Sequence, residues 1–411
     1  MSTNSSYPKT TTAETSRQPP APDPTEEEEL PAYEARDFYP VKLGEVFQDR
    51  YQVVAKLGFG TGSTVWLCRE LQSENYFTLK VCINRPSSDP SSQADTEAAV
   101  SEILSQVNEA DHPGKHFLRL IVDDFTVNGP HGPHRCFIYK ALGMNMTDFR
   151  NKFPEKTINK DVLVKTYHVL LIGLDLLHQA GVVHTGIMVW LYTTDRLANF
   201  GPDISPSNIL LGIHDDKILS QIEAAERDRS LPHKIRAGRT IYQSQPLPIT
   251  HGMPVLCDFG QARIGDKHSG DVMPDFYRAP EVILGMEWDS KIDIWSMGVM
   301  IWDLFEGGRL FYALKDRVLN DEQHLAEMVS LMGPPPPSFI RRSKECQKYW
   351  DGEGHWFAST PIPEQSLGMR EVQLEGREQE KLVAFARRVL CWLPEERPTT
   401  EELLQDDLFK P

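Results

Sequence analysis

The pattern of apolar and polar residues changes its period along the chain. Between residues 51 and 83 the two kinds alternate, which is typical of β-strands that bury one face. In one of these strands Leu79 and Val81 face the side opposite to Lys80. Further strands are predicted near residues 118–126 and 136–142. The first part of the chain therefore predicts a small β-rich lobe with one short helix between its strands.

The second part of the chain has a helical period. From about residue 161 the apolar residues recur every three or four positions, which predicts a helix that ends at Gly181. Residues 291–305 are apolar on nearly every side, which indicates a helix buried inside a large lobe. A last helical stretch is predicted from about residue 378 to 408. We therefore expect an α+β fold with a small β-rich N-lobe and a larger α-helical C-lobe.

Changes in composition suggest where these lobes begin and end. Residues 1–35 are rich in Ser, Thr, Pro and Glu and lack the apolar residues that offset ordering entropy, so a disordered tail is predicted. The N-lobe is expected over residues 41–142 and the C-lobe over residues 143–409. Within the C-lobe, residues 214–252 are polar and irregular, which predicts a surface loop. Residues 186–202 form an anomalous insert.

Net charge and cysteine usage indicate which partners and which cell compartment to expect. The net charge of −16 argues against direct nucleic-acid binding and suits basic partners. The six cysteines form no C-x-x-C pair, which is typical of reduced cysteines inside the cell. There is no apolar run of about 20 residues that could span a membrane, and the N-terminus does not resemble a signal peptide. We expect an intracellular monomer, in the cytoplasm, the nucleus or both, with no membrane contact.

A glycine-rich turn and a lysine suggest phosphate binding. The turn reads Gly58-Phe59-Gly60-Thr61-Gly62-Ser63-Thr64-Val65, and its glycines would let the backbone approach a phosphate group. Lys80 follows in the next predicted strand and becomes a candidate phosphate clamp. Such a lysine needs a carboxylate to hold it, and Glu97 and Glu102 on the intervening helix are the two options. On a helical wheel Glu97 lies nearer to the apolar stripe.

Four further motifs follow in a fixed order. They are Cys257-Asp258-Phe259-Gly260, Tyr277-Arg278-Ala279-Pro280-Glu281, Asp293-Ile294-Trp295-Ser296-Met297-Gly298 and Glu396-Arg397-Pro398-Thr399. Asp258 ends a buried strand and suits a Mg²⁺ ligand on a mobile hinge. A Glu281–Arg397 ion pair would be structural. Each motif alone has an ordinary structural explanation, but their order and spacing together favour one shared origin.

Over about residues 41–409 the chain resembles the SR-protein kinases, in the CMGC group of eukaryotic protein kinases. The opening from Tyr39 to Gly44, the serine at position 63 and the Tyr-Arg-Ala-Pro-Glu form of the later motif carry this resemblance. It implies a bilobal protein kinase fold, ATP and Mg²⁺ as cofactors, and serine or threonine in a protein as the acceptor. It also implies a preference for basic or Arg/Ser-rich protein substrates, which the acidic net charge would suit.

The resemblance also assigns roles to residues. The catalytic residues are Asp203, Lys80 and Glu102; Glu102 is preferred to Glu97 because the run Ser101-Glu102-Ile103-Leu104 is closer to the family pattern. The residues implied to bind ATP are Leu57, Gly58, Gly60, Gly62, Ser63, Val65, Lys80, Asn208 and Asp258. Asn208 and Asp258 would be the Mg²⁺ ligands.

The catalytic loop departs from the family pattern by an insertion. His184-Thr185 is followed by the 17 residues Gly186–Pro202 and only then by Asp203. Removing them leaves His-Thr-Asp-Ile-Ser-Pro-Ser-Asn, which restores the family spacing and makes Asp203 the base and Asn208 a metal ligand. The insert contains a run of six apolar residues, unlike an exposed loop tip. Our hypothesis is an unspliced intron of whole codons, and the alternative is a genuine surface excursion.

Three single residues also depart from the pattern. Ser205 replaces the lysine that contacts the γ-phosphate, which predicts a slower enzyme and removes the residue that most clearly marks a preference for serine and threonine over tyrosine. Thr185 replaces an arginine that binds a phosphorylated activation loop, so activity is predicted not to need that phosphorylation. Tyr139 is a bulky gatekeeper that would close the space behind the adenine. The competing interpretation is a pseudokinase that acts as a nucleotide-binding or scaffold module. A small-molecule kinase is disfavoured, because the Tyr-Arg-Ala-Pro-Glu motif belongs to protein-substrate recognition in the family.

Overall fold

The computed structural model describes residues 26–30, 33–84, 92–108, 110–187 and 208–410. Some predictions fall outside these ranges. The predicted base Asp203, Ser205 and every residue of the insert after Ile187 lie outside the described residues. So do residues 1–25 of the predicted tail.

The N-lobe is built on one sheet of six strands. These are β1 (Val46–Phe47), β2 (Tyr51–Gly60), β3 (Ser63–Glu70), β4 (Tyr76–Cys82), β5 (Ile121–Gly129) and β6 (Gly132–Lys140). They lie in the order β1-β2-β3-β4-β6-β5, and every neighbouring pair is antiparallel. Helix α1 (Gln93–Ser105) follows β4, and the Ser92 side chain caps it by accepting a hydrogen bond from the backbone N–H of Asp95.

The remainder of the described chain is mainly helical. Its helices are α2 (Met146–Asn151), α3 (Lys160–Gln179), α4 (Lys217–Asp228), α5 (Pro280–Ile283), α6 (Lys291–Ile301), α7 (Asp321–Met332), α8 (Pro337–Ile340), α9 (Leu367–Arg370), α10 (Gly376–Val389) and α11 (Thr400–Leu404). Its short strands are β7 (Val182–Val183), β8 (Ile209–Leu211), β9 (His233–Arg236), β10 (Arg239–Tyr242), β11 (Pro254–Leu256), β12 (Arg263–Ile264), β13 (Leu314–Lys315) and β14 (Val318–Leu319). The predicted α+β fold with two unequal lobes is confirmed.

Helices α3 and α6 form the centre of the C-lobe core. Residues 292–301 of α6 are all buried, as the apolar pattern predicts. Helix α6 and the end of α10 approach so closely that a Cβ atom on Gly298 would lie 2.7 Å from Cγ2 of Val389. The predicted last helical stretch is wrong in its continuity, because α10 ends at Val389 and a segment containing Pro394 and Pro398 separates it from α11. Among the described residues no helix is long and apolar enough to cross a membrane.

The predicted surface loop at residues 214–252 is wrong, because much of this segment is regular structure. It contains helix α4 and the antiparallel hairpin of β9 and β10. Leu219 and Ile222 lie three positions apart on α4 and pack against buried residues of β2 and β3. The Tyr242 ring, at the end of the hairpin, meets Trp66 edge-on with their centroids 5.8 Å apart. Trp66 and Leu67 are consecutive residues of β3 and point to opposite faces of the sheet, so α4 packs on one face of the N-lobe and the hairpin on the other.

The predicted disordered tail is also wrong in part, since residues 26–30 pack beside the hairpin, on the face of the sheet that carries Lys56. Lys56 on β2 is 1% exposed, and its Nζ donates to Glu26 Oε2 at 2.9 Å, to Glu27 Oε2 and to the carbonyl of Tyr242 at 2.9 Å. A buried ammonium group needs such partners to offset its loss of water. We call residues 26–30 together with residues 217–245 the brace.

Candidate active site

A lysine and two carboxylates form the centre of the site, between the lobes. Lys80 on β4 donates to Glu97 Oε2 on α1 at 2.6 Å. Its Nζ also lies 3.3 Å from Oδ1 of Asp258, which follows strand β11. The structure thus brings together Lys80 and Asp258, which lie far apart in sequence and were both predicted as site residues.

The predicted partner of Lys80 is wrong. The structure pairs Lys80 with Glu97, whereas Glu102 is exposed on another face of α1. Glu97 is only 3% exposed because it lies on the face of the helix that packs against the sheet. The helical wheel favours Glu97, because that residue lies nearer to the apolar stripe. The preference for Glu102 rested on the local sequence motif, and the structure shows that the motif was the poorer guide.

The charges of the centre stabilise one another. Burial alone would lower the pKa of Lys80, but the carboxylates of Asp258 and Glu97 outweigh it and raise that pKa well above its ordinary value. The Lys80 ammonium lowers the pKa of Asp258 against the opposing effect of burial. Lys80 is therefore cationic and Asp258 anionic at neutral pH, and charges of these signs suit a phosphate group and a divalent cation.

The glycine-rich turn joins β2 and β3 beside this centre. Gly58 pairs with Val65 and Gly60 with Ser63, and Val65 in turn pairs with Lys80 on β4. A Cβ atom on Gly58 or Gly60 would meet nothing within 4 Å, so the backbone there is open to a ligand. The predicted nucleotide-binding residues of this hairpin are Leu57, Gly58, Gly60, Gly62, Ser63 and Val65, and all belong to β2, β3 or the turn between them.

Strand pairing brings the two predicted metal ligands into adjacent positions. The backbone N–H of Cys257 donates to the Asn208 carbonyl at 3.0 Å, which sets Asn208 beside Asp258. Asp258 has a left-handed backbone, with φ of 65°. A carboxylate and an amide oxygen are suitable Mg²⁺ ligands, and Mg²⁺ usually retains several waters. Asp258 and Asn208 therefore suit an ion whose other ligands are phosphate and water.

The start of the catalytic loop is fixed by a buried aspartate. The backbone N–H groups of His184 and Thr185 donate to the two carboxylate oxygens of Asp293 at 2.8 and 2.9 Å. The Asn208 Nδ2 donates to the carbonyl of Gly186 at 2.8 Å, so the chain leaves the loop and returns to it at neighbouring points. In the sequence the predicted base Asp203 comes between Gly186 and Asn208, and it is outside the described residues.

Two contacts that the sequence did not indicate complete the site. The Tyr139 hydroxyl donates to Glu97 Oε1 at 2.6 Å. Arg278, in the segment after Asp258, donates to Asp321 Oδ1 at 2.6 Å and lies 3.8 Å from both Asp271 and Asp275. The predicted Glu281–Arg397 ion pair is present, with N–O distances of 2.5 and 2.7 Å. Only the last of these pairs could be predicted from motif order.

Comparison with known proteins identifies relatives over nearly the whole chain. A family model described as "Protein kinase domain" matches residues 247–409. A serine/threonine protein kinase of Aspergillus fumigatus is 39% identical over 388 residues, which cover 93% of this chain and 90% of the relative. The serine/threonine-protein kinase SRPK of Physarum polycephalum is 32% identical over 397 residues, which cover 93% of this chain and 91% of the relative. A solved kinase-domain structure is 22% identical, with a TM-score of 0.67 over 91% of this chain and 99% of that one.

Proposed function

We propose that this chain, which belongs to the protein kinase family and within it to the SR-protein kinases of the CMGC group, transfers the γ-phosphate of ATP to serine or threonine in basic protein substrates. One observation carries the proposal. Lys80 lies 2.6 Å from Glu97 and 3.3 Å from Asp258, so the phosphate clamp and a metal ligand meet under the glycine-rich turn.

In the proposed reaction the substrate hydroxyl oxygen forms a bond to the γ-phosphorus, and the bond from that phosphorus to the β–γ bridging oxygen breaks, which releases ADP. The resemblance gives Asp203 the role of accepting the hydroxyl proton. Lys80 would hold the nucleotide phosphates, and Asp258 and Asn208 would hold Mg²⁺. When bound, Mg²⁺ supplies positive charge that offsets the charge developing on the phosphate oxygens.

The proposed preference for basic or Arg/Ser-rich substrates is supported by the charge around the segment that follows Asp258. Asp271 and Asp275 have side chains that are 79% and 49% exposed. A cavity of about 560 Å³ nearby is lined by Asp321 and Glu322 but also by the cations Arg278 and Lys348, so the exposed Asp271 and Asp275 carry this argument. Together with the net charge of −16, these carboxylates would attract an arginine-rich peptide.

We also propose that activity does not need phosphorylation of the activation segment. Thr185 stands where a phosphate-binding arginine is expected. Arg278 lies in the segment that follows Asp258 and could also bind a phosphate group. Its guanidinium already has three carboxylate neighbours, those of Asp321, Asp271 and Asp275. Because these carboxylates already neutralise the positive charge of Arg278, a phosphate group on the activation segment would gain little by binding it.

The proposed rate is low because of Ser205. A charge-assisted hydrogen bond to the γ-phosphate contributes roughly 1.5–3 kcal/mol, and its loss from the transition state lowers the rate about 10- to 100-fold. The rival proposal is a pseudokinase that binds nucleotide and acts through contacts. The substitution at Ser205 and the insert are the observations that favour it.

The test is transfer of labelled γ-phosphate from Mg²⁺–ATP to an Arg/Ser-rich peptide, with an acidic serine peptide as the control substrate. We expect slow transfer to the basic peptide, faster transfer by Ser205→Lys, and none by Asp258→Ala or Asp203→Ala. No transfer by folded protein to any of several basic substrates would refute the kinase proposal and support the pseudokinase. Equal transfer to the two peptides would refute the substrate preference alone.

A further inference from the structure

Both carboxylate oxygens of Glu97 are engaged, and by different donors. Lys80 Nζ donates to Oε2 at 2.6 Å. The Tyr139 hydroxyl donates to Oε1, also at 2.6 Å. The carboxylate therefore has one orientation in which both bonds form, and this orientation is the one that holds the lysine.

The tyrosine is itself fixed within the sheet. Tyr139 lies on β6, directly opposite Thr78 on the neighbouring strand β4, and is 2% exposed. The guanidinium of Arg119 lies 4.6 Å from the centre of its ring, and the Phe137 ring meets it edge-on at 6.3 Å. A cation above a phenol ring makes its hydroxyl a better hydrogen-bond donor, which strengthens the contact with a carboxylate.

We propose that Tyr139 is a positioning residue for the nucleotide: its hydroxyl holds Glu97, and through Glu97 it sets the place of the Lys80 ammonium. The inference deepens the proposed function and rests on it. The hydroxyl ties helix α1 to strand β6 directly, in addition to the tie through β4 and Lys80. The position of α1 therefore does not depend on Lys80 alone. Some of the N–H donors of the Lys80 ammonium are then available to a bound phosphate.

The variant Tyr139→Phe removes only the hydroxyl. Its ring would remain among Cys82, Phe137 and Ile121, so the fold is retained. Glu97 Oε1 would then lose its donor in a buried place, which weakens the hold on Lys80. The matched control is Tyr51→Phe, because Tyr51 is buried in the same sheet and its hydroxyl also donates to a carboxylate, that of Asp123 at 3.0 Å, away from the site.

The first measurement is binding of the non-hydrolysable analogue AMP-PNP with Mg²⁺, which needs no turnover. Tyr139→Phe is expected to weaken this binding about ten-fold, and Tyr51→Phe to leave it within two-fold. In the transfer assay the KM for ATP should rise in Tyr139→Phe while the KM for the peptide stays the same. Unchanged nucleotide binding, or an equal loss in both tyrosine variants, would overturn the proposal.

A double-mutant cycle tests the route through Glu97. In a Glu97→Gln background the change Tyr139→Phe should alter AMP-PNP binding less than two-fold, because the carboxylate it serves is gone. A full ten-fold further loss would mean that the hydroxyl acts elsewhere, and would overturn the inference. A chain that binds AMP-PNP but transfers no phosphate would refute the proposed function and leave this inference standing. A chain that binds no nucleotide would refute both.

Discussion

At the residue scale, the choice between Glu97 and Glu102 shows where sequence reasoning succeeds and where it fails. The proximity of Lys80, Asp258 and Asn208 could be predicted because each lies in a motif whose neighbours constrain it, while their roles stay predictions. The carboxylate partner lies in no such motif, and only its face on the helix identifies it. Glu97 faces the sheet and Glu102 faces solvent, so the helical period was the better guide than the local run of residues. The hydrogen bond from the Tyr139 hydroxyl to Glu97 could not be predicted, since no pattern links residues 97 and 139.

The pairing gives a prediction with an internal control. Glu97→Gln removes the charge that holds Lys80, and we expect kcat/KM for ATP to fall about 10- to 100-fold, the effect of one charge-assisted hydrogen bond. Glu102→Gln changes an exposed residue of the same helix, and we expect less than a two-fold effect. Steady-state kinetics of the two variants against the unchanged chain checks this. A larger loss of kcat/KM from Glu102→Gln than from Glu97→Gln would show that Glu102 is the carboxylate that holds Lys80.

At the element scale, the brace was the largest failure of the sequence-based prediction. Helix α4 is polar in composition, but Ile218, Leu219, Ile222 and Ala225 recur at helical spacing, so an interpretation based on composition alone missed a helix that the period predicts. Its partner surface, in contrast, could not be predicted. That surface is formed by β2 and β3, more than a hundred positions earlier in the chain. Lys56 likewise gives no sign in the sequence that it is buried or that Glu26 and Glu27 are its partners. In contrast, α3 and α6 were predictable because their own residues carry the apolar pattern.

The turn of helix that follows α6 gives a prediction about pH. Asp303 lies in this turn, and burial raises the pKa of its carboxyl from an ordinary 3.8 to about 7, although Tyr277 donates a hydrogen bond to it. Between pH 4 and 7 the folded chain keeps a proton that the unfolded chain has released. The contribution of Asp303 to the free energy of unfolding therefore falls as pH rises through this range, by up to about 1.4 kcal/mol per pH unit.

The variant Asp303→Asn has no such proton to lose. We expect its free energy of unfolding, relative to the unchanged chain, to increase from pH 5 to pH 8. Urea unfolding of both chains at intervals of one pH unit measures this difference, and Glu306, whose pKa burial also raises to about 7, cancels because it is present in both. A difference that stays constant with pH would show that Asp303 keeps an ordinary carboxyl pKa.

At the scale of the whole molecule, the residues described before and after the insert lie close together. The chain passes Gly186 and returns at Asn208, whose side-chain amide donates to the Gly186 carbonyl at 2.8 Å. Between these points the pattern of the family needs only a few residues. Ile187, the second residue of the insert, is fully buried in the C-lobe core. The insert therefore begins inside the core and not at the tip of a surface loop.

The sequence on the other side of the insert explains how it could be removed. Gly186-Ile187 follows Thr185 in the full chain, and Asp203-Ile204 would follow Thr185 if Gly186–Pro202 were deleted. The Asp203 carbonyl would then replace that of Gly186 as the acceptor for Asn208, and Ile204 would fill the site of Ile187. The chain without the insert would thus keep a backbone carbonyl that accepts from Asn208 and an isoleucine side chain in the core, at the positions that Gly186 and Ile187 occupy in the full chain.

We therefore predict that the chain lacking Gly186–Pro202 folds, is more stable by about 1 kcal/mol because the loop is shorter, and transfers phosphate faster than the full chain. Ile204→Ala should then destabilise the shortened chain by about 2–5 kcal/mol, the cost of truncating a buried isoleucine, just as Ile187→Ala should destabilise the full chain. Thermal unfolding and phosphate transfer by the four proteins measure both effects. Aggregation of the shortened chain, or a mild effect of Ile204→Ala, would show that Ile204 does not take the core site. The insert would then be an integral part of this kinase, and a sequenced transcript that contains it would establish the same independently.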